Sequence, residues 1–159
     1  MIDSVDVDVA KHTFERIVFK VPQTSIQGKF CMPYLVARAL TDGKVSLHAF
    51  TDAAVREPSI LKLAERVRMN LGGDLKKTDP GGRPCRVTLR TTSGQTYVRE
   101  AQHSKGSPEF PMTEVELQGK FTECARETLS ADAAARALAL IEGLETVGDV
   151  RSVTDLLRG

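Results

Sequence analysis

Tyr34 and Arg38 are the residues whose types and spacing best suit a small-molecule site. They lie four apart in Lys29-Phe30-Cys31-Met32-Pro33-Tyr34-Leu35-Val36-Ala37-Arg38-Ala39-Leu40-Thr41-Asp42-Gly43. That stretch reads as one helix, so the two side chains share a side of it. A phenol can donate a hydrogen bond to an anion, and a guanidinium can grip a carboxylate in a planar fork. Pro33 suits a first helical turn, where one N–H lacks a partner anyway. A tyrosine in that first turn could fill the core with a wet tip or point into a site. Each residue also has a plain structural reading. Tyr34 could bury its ring and wet its hydroxyl, and Arg38 could be a solvated helix charge.

The other reactive side chains form weaker patterns. Arg86 and Arg90 share a strand face; the expected reading is an exposed face with long cations lying over apolar surface, and an anion patch is the rival. Cys31 stands at the helix start, where the dipole could lower a thiol pKa, but no base lies beside it in sequence and no nucleophile is assigned. His48 and His103 are expected to be structural, and the basic loop Lys105-Gly106 carries no catalytic assignment. Three histidines and three cysteines are scattered, without a CxxC pair or zinc spacing, so no metal site is expected. An odd number of widely spaced cysteines argues against a disulfide framework and fits a reducing cytoplasm.

Composition narrows the classes. The chain has 159 residues, with 22 Lys+Arg against 21 Asp+Glu and a net charge of +1. A nucleic-acid binder would show a basic excess; aromatic residues make up 5% with no Trp, a poor inventory for base stacking. No apolar run is long enough to cross a membrane, and the acidic start Met1-Ile2-Asp3-Ser4-Val5-Asp6 lacks the pattern of a signal peptide.

The elements that must position Tyr34 and Arg38 follow from periodicity. Thr13–Pro22 is rich in Phe, Ile and Val and reads as a strand ended by proline. In the helix that follows, Leu35, Val36, Ala39 and Leu40 recur at helical spacing and are expected to face inward, with Gly43 as the left-handed cap. Pro58 can open a helix with a stripe of Ile60, Leu61, Ala64 and Val67. A short strand is expected at 66–71, a long loop at 72–84 with four glycines and two prolines, and then a hairpin. There Cys85, Val87 and Leu89 alternate with Arg86, Thr88 and Arg90, and Ser93-Gly94 makes the turn. Thr113 and Glu116 match a capping box, opening a helix with Leu117, Phe121, Cys124 and Ala125 on one face. Ser130 caps a helix with Leu138, Ile141 and Leu144 inward, and Asp149 a last one carrying Val150, Val153, Leu156 and Leu157. The pattern predicts a single α+β domain over 1–159, a two-layer sandwich of a mainly antiparallel sheet with helices on one face.

Two stretches carry a resemblance. Lys29-Phe30-Cys31-Met32-Pro33-Tyr34, closing at Asp42-Gly43, is similar to a Lys-Phe-Ser, apolar-Pro-Tyr hallmark of the MmgE/PrpD family, with Cys31 where serine is usual. Lys105-Gly106, Pro108, Pro111, Glu116-Leu117 and Lys120-Phe121 resemble its second hallmark, a basic-Gly loop, a proline-rich turn and a Glu-Leu…Lys-Phe helix. The order of the two, with Glu15-Arg16-Ile17-Val18-Phe19-Lys20-Val21-Pro22 ahead, extends the likeness over nearly the whole chain.

The family includes 2-methylcitrate dehydratase, cis-aconitate decarboxylase and iminodisuccinate epimerase. The resemblance implies the C-terminal lid of a two-domain enzyme that works on a small polycarboxylate without metal or organic cofactor. The lead activity is a 2-methylcitrate dehydratase-like lyase. An all-helical domain, in the same or a separate chain, would supply most catalytic groups, and the full enzyme could be a homodimer. Tyr34 would be the catalytic residue facing the substrate, with Arg38 as a possible carboxylate ligand. A Lys-x-x-x-x-His motif that precedes this region in the family is absent, and neither Lys11 nor His12 can stand for it, so the isolated chain is expected to be inactive. The rival reading is a non-enzymatic dimerisation or ligand-binding module. A lid should expose apolar surface where its partner docks; an independent module should not.

Overall fold

A computed structural model describes residues 1–75 and 82–158. The chain divides into two compact units, Met1–Phe110 and Pro111–Gly159.

The first unit is built on a four-stranded sheet: β1 Ile2–Val9, β2 Val67–Leu71, β3 Cys85–Thr91 and β4 Thr96–Ala101, in the order β2-β1-β3-β4. The pairings β1–β3 and β3–β4 are antiparallel, and β1–β2 is parallel. β1 pairs on both edges, and from Val5 to Val9 its sequence alternates apolar and acidic residues. Val5, Val7 and Val9 are buried and meet Val67, Val87 and Leu89 in one apolar cluster. Asp6 and Asp8 point the other way, where Asn70 donates to both and Arg90 pairs with Asp6 at 2.5 Å. A parallel neighbour cannot be reached by a tight turn, and the crossover from β1 to β2 carries the helices α1 Lys11–Arg16, α2 Ser25–Lys29, α3 Met32–Asp42 and α4 Pro58–Ala64. Met32 and Val36 of α3 pack on the valine cluster, which places α3 on the apolar face of the sheet. The α+β class and the mainly antiparallel sheet agree with the sequence pattern.

The N-terminal region differs from expectation. Residues 13–22 are not a strand: α1 occupies Lys11–Arg16, helped by a Lys11–Glu15 pair four apart, and residues 17–22 run on without a strand partner. The Phe19 N–H donates to the Phe30 carbonyl instead. The strand is β1, whose valine and aspartate alternation is the period-two signal of a half-buried strand. The short strand, the hairpin and the glycine turn are as predicted, with Gly94 at φ +82°. Of the loop 72–84, residues 76–81 lie outside the described residues.

The second unit is helical, with α5 Glu114–Ala125, α6 Ala131–Glu142 and α7 Arg151–Leu156. The capping box is present: Glu116 N–H donates to Thr113 Oγ1 and Thr113 N–H to Glu116 Oε2. Ser130 caps α6, and Asp149 accepts from the Arg151 N–H. The expected inward faces are only partly buried: Val153 is buried, and Phe121, Ala125, Leu138 and Leu156 are half-buried. No residue of α5 is buried, Leu117 is 60% exposed, and Ile141, Leu144, Val150 and Leu157 are exposed as well. The unit's buried apolar residues are Leu129, Ala134, Ala137 and Val153.

Candidate functional site

The face of α3 that turns inward is the one bearing Tyr34, Ala37 and Arg38, whereas Ala39 and Leu40 are exposed. Of the residues expected inward, Val36 packs on the sheet and Leu35 is half-buried, but Ala39 and Leu40 turn outward while Tyr34 and Arg38 are buried. Hydrophobic spacing treats arginine as a solvent-facing residue, but a buried guanidinium is tolerated when every side of it is paired. Arg38, 8% exposed, meets that condition. Its Nε donates to the Tyr34 hydroxyl at 3.1 Å, its NH1 meets Asp42 at 3.3 Å, and its NH2 meets Glu57 at 3.0 Å. Burial works against its charge, but the Tyr34 bond and the nearby carboxylates outweigh it and hold the guanidinium above its ordinary value.

Tyr34 is fully buried. Its hydroxyl donates to the Ala49 carbonyl and accepts from Arg38. A polar chain therefore runs from the 3₁₀ turn Leu47–Phe50, through Tyr34 and Arg38 of α3, to Glu57 ahead of α4. Around it lie Cys31, Val55, Ile60 and Ala64, with Phe19 and Phe50 at the edge. The hydroxyl projects into this core rather than into an open cleft. Arg38 is likewise committed to protein carboxylates. The physical reason is proximity: the turn at Ala49 brings a carbonyl to the phenol that no local sequence pattern announces.

Two further residues shape this cluster. Glu57, immediately before Pro58, adds a carboxylate at the N-terminus of α4; an acid before a helix proline is its only sequence signal, because its partner is far away in the chain. Gly28 is buried in α2, and a Cβ there would lie 2.7 Å from Val55 Cγ1 and 3.4 Å from Tyr34 Cε1. A lone glycine inside a helix can signal such close packing.

Arg86 and Arg90 are placed on the polar face of the sheet, as expected. Arg86 pairs with Glu100 at 2.6 Å and Asp74 at 2.8 Å, and Arg90 with Asp6. Their charge is answered by protein carboxylates, which removes the reason for an anion patch. His103 Nδ1 lies 3.5 Å from Glu109, and Lys105 Nζ stands 4.4 Å from the Phe110 ring centroid. These contacts tie together a loop whose turn needs Gly106 at φ +91°. Cys31 is buried, and burial raises its thiol pKa despite a smaller opposing backbone bond at Tyr34. No cluster of metal-ligating side chains occurs among the described residues, and no described helix is long and apolar enough to cross a membrane.

Comparison with known proteins fixes the class. Residues 1–146 match the MmgE/PrpD C-terminal domain. The chain belongs to the MmgE/PrpD family. It is similar to cis-aconitate decarboxylase of Mus musculus, 22% identical over 91% of this chain and 32% of that protein. The Homo sapiens protein of the same name is 20% identical over the same shares. The chain thus spans about a third of the length of these relatives.

Proposed function

We propose that this chain is the lid domain of a cofactor-independent MmgE/PrpD-type lyase acting on a small polycarboxylate. The match over residues 1–146 carries this reading. Both relatives are named for removing carbon dioxide from a tricarboxylate. Dehydration of a 2-methylcitrate-like substrate, the lead activity implied by the sequence motifs, belongs to the same electronic class. Loss of a proton or of carbon dioxide beside a carboxylate builds negative charge, which fixed donors must meet where it develops. A lid contributes by closing the site to water and completing the catalytic set. An all-helical domain, in the same or another chain, supplies the remaining groups. Exposed Phe14, Val18, Val21, Ile26 and Phe30 support a lid over an independent module, because apolar surface of that kind calls for a partner.

Tyr34 is the lid residue assigned to the substrate in this reading. Its hydroxyl is bonded on both its donor and acceptor sides, so it reaches a substrate only when the Leu47–Phe50 turn gives up the Ala49 carbonyl. Combining the chain with the rest of its MmgE/PrpD protein tests the proposal, with consumption of cis-aconitate and 2-methylcitrate followed by NMR. Turnover of one of them by the assembly, and of neither by the isolated chain, is the expected result. An assembly inert toward every polycarboxylate, or an isolated chain with robust turnover, overturns it.

A further inference from the structure

The bonds around Arg38 fix the direction of the Tyr34 hydroxyl. A guanidinium donates and never accepts, whereas a phenol carries one proton and does both. The 3.1 Å contact from Arg38 Nε therefore uses the phenol oxygen as acceptor. The Tyr34 proton has to point elsewhere, and here it goes to the Ala49 carbonyl. The guanidinium is itself held. Its NH1 meets Asp42, one turn on in α3, and its NH2 meets Glu57 Oε2 at 3.0 Å, just ahead of α4. The other oxygen of Glu57 accepts from Ser59 Oγ at 2.7 Å. Pro58 favours an extended backbone in the residue before it, and Glu57 has φ −61° and ψ 117°. A carboxylate fixed at the start of one helix thus sets the orientation of a phenol on another.

We infer that Arg38 and Glu57 are positioning residues for Tyr34, holding its hydroxyl as a hydrogen-bond donor aimed along the line that now ends at the Ala49 carbonyl. The inference rests on the reading that Tyr34 serves the substrate, and it names what the hydroxyl would take. A carbonyl is an sp² oxygen acceptor, the same kind of atom that a carboxylate or an enolate-like oxygen presents. Arg38 is then no ligand of the substrate, because each of its three nitrogens already meets a protein group. A fixed donor that meets charge as it develops acts on kcat more than on KM.

The test has two readouts. The chain has two tyrosines, so labelling tyrosine with ¹³C at Cζ gives one NMR signal for Tyr34 and one for the exposed Tyr97, an internal control. Glu57→Gln keeps the shape of the side chain and removes its charge. It is expected to shift the Tyr34 signal and leave that of Tyr97 in place. In the assembled enzyme the same variant should lower kcat at least fivefold at nearly constant KM. It should do nothing further once Tyr34 is replaced by Phe, because it acts only through the phenol. Arg38→Lys keeps the charge but lacks the planar fork, and should behave as Glu57→Gln does. An unmoved Tyr34 signal, an unchanged kcat in Glu57→Gln, or a loss of equal size with and without the Tyr34 hydroxyl overturns the inference. Where Tyr34→Phe still lowers kcat in those cases, the reading of Tyr34 stands. Tyr34→Phe with kcat intact overturns both.

Discussion

Tyr34 joins three parts of the fold through one oxygen, so Tyr34→Phe separates its two possible jobs. Removing the hydroxyl leaves the Ala49 carbonyl and the Arg38 Nε without their partner, at a cost of about 1–3 kcal/mol, measured by denaturant unfolding of the chain. If the hydroxyl also serves the substrate, kcat in the assembled enzyme falls at least tenfold with KM little changed. A loss of stability with kcat intact assigns Tyr34 to the core alone. Gly28→Ala gains helix propensity of about 1 kcal/mol, but its Cβ meets the buried Val55 at 2.7 Å. Overpacking of about 1–3 kcal/mol then outweighs the gain, and a lowered melting temperature is the expected result. Thiol reactivity tests burial directly. Cys124 is exposed, while burial raises the pKa of Cys31 and Cys85. Because thiolate is the reacting form, iodoacetamide should label Cys124 first, and the buried Cys31 and half-buried Cys85 should need higher pH or unfolding.

At the scale of elements, caps decide where helices begin and end. Thr113→Ala removes the side chain that accepts the Glu116 N–H and dissolves the capping box; about 1 kcal/mol of α5 stability should be lost, seen as faster amide exchange in its first turn. These features were legible in sequence because a cap is a local bond: Thr113 with Glu116, Ser130 with the Ala133 N–H, Gly43 at φ +74°. The hairpin was legible for the same reason, since Ser93-Gly94 and the alternation from Cys85 to Arg90 act between near neighbours. The apolar run Ile17–Val21 was not. Strand propensity describes how a residue suits a pleated, half-buried surface, and here the Phe19 N–H bonds the Phe30 carbonyl rather than a strand. The burial of Arg38 is not legible locally, because it meets Glu57 only after the crossover has folded back.

For the whole molecule, the two units should differ in stability. Met1–Phe110 holds two apolar clusters, one under α3 and one on the sheet. Pro111–Gly159 buries few large side chains, and a helical unit of that size has little surface to bury by itself. Hydrogen exchange should therefore open α5, α6 and α7 well before β1 and β3 in the isolated chain. Equal protection of the two units would show that the second has a stronger core than its side chains provide.

The sequence by itself determined the α+β class, the capped helices, the hairpin and, through the motifs around Tyr34 and Lys105-Gly106, the family. Each rests on residues close in the chain or on a pattern that survives without knowing the fold. The tertiary structure alone decided that β1 lies between β2 and β3 in the sheet, that Arg38 is buried, and that the Tyr34 hydroxyl is held by Ala49. Those outcomes depend on which distant groups arrive beside each other. A buried charge or phenol is stable only where a partner satisfies it, and chain neighbours do not reveal that partner.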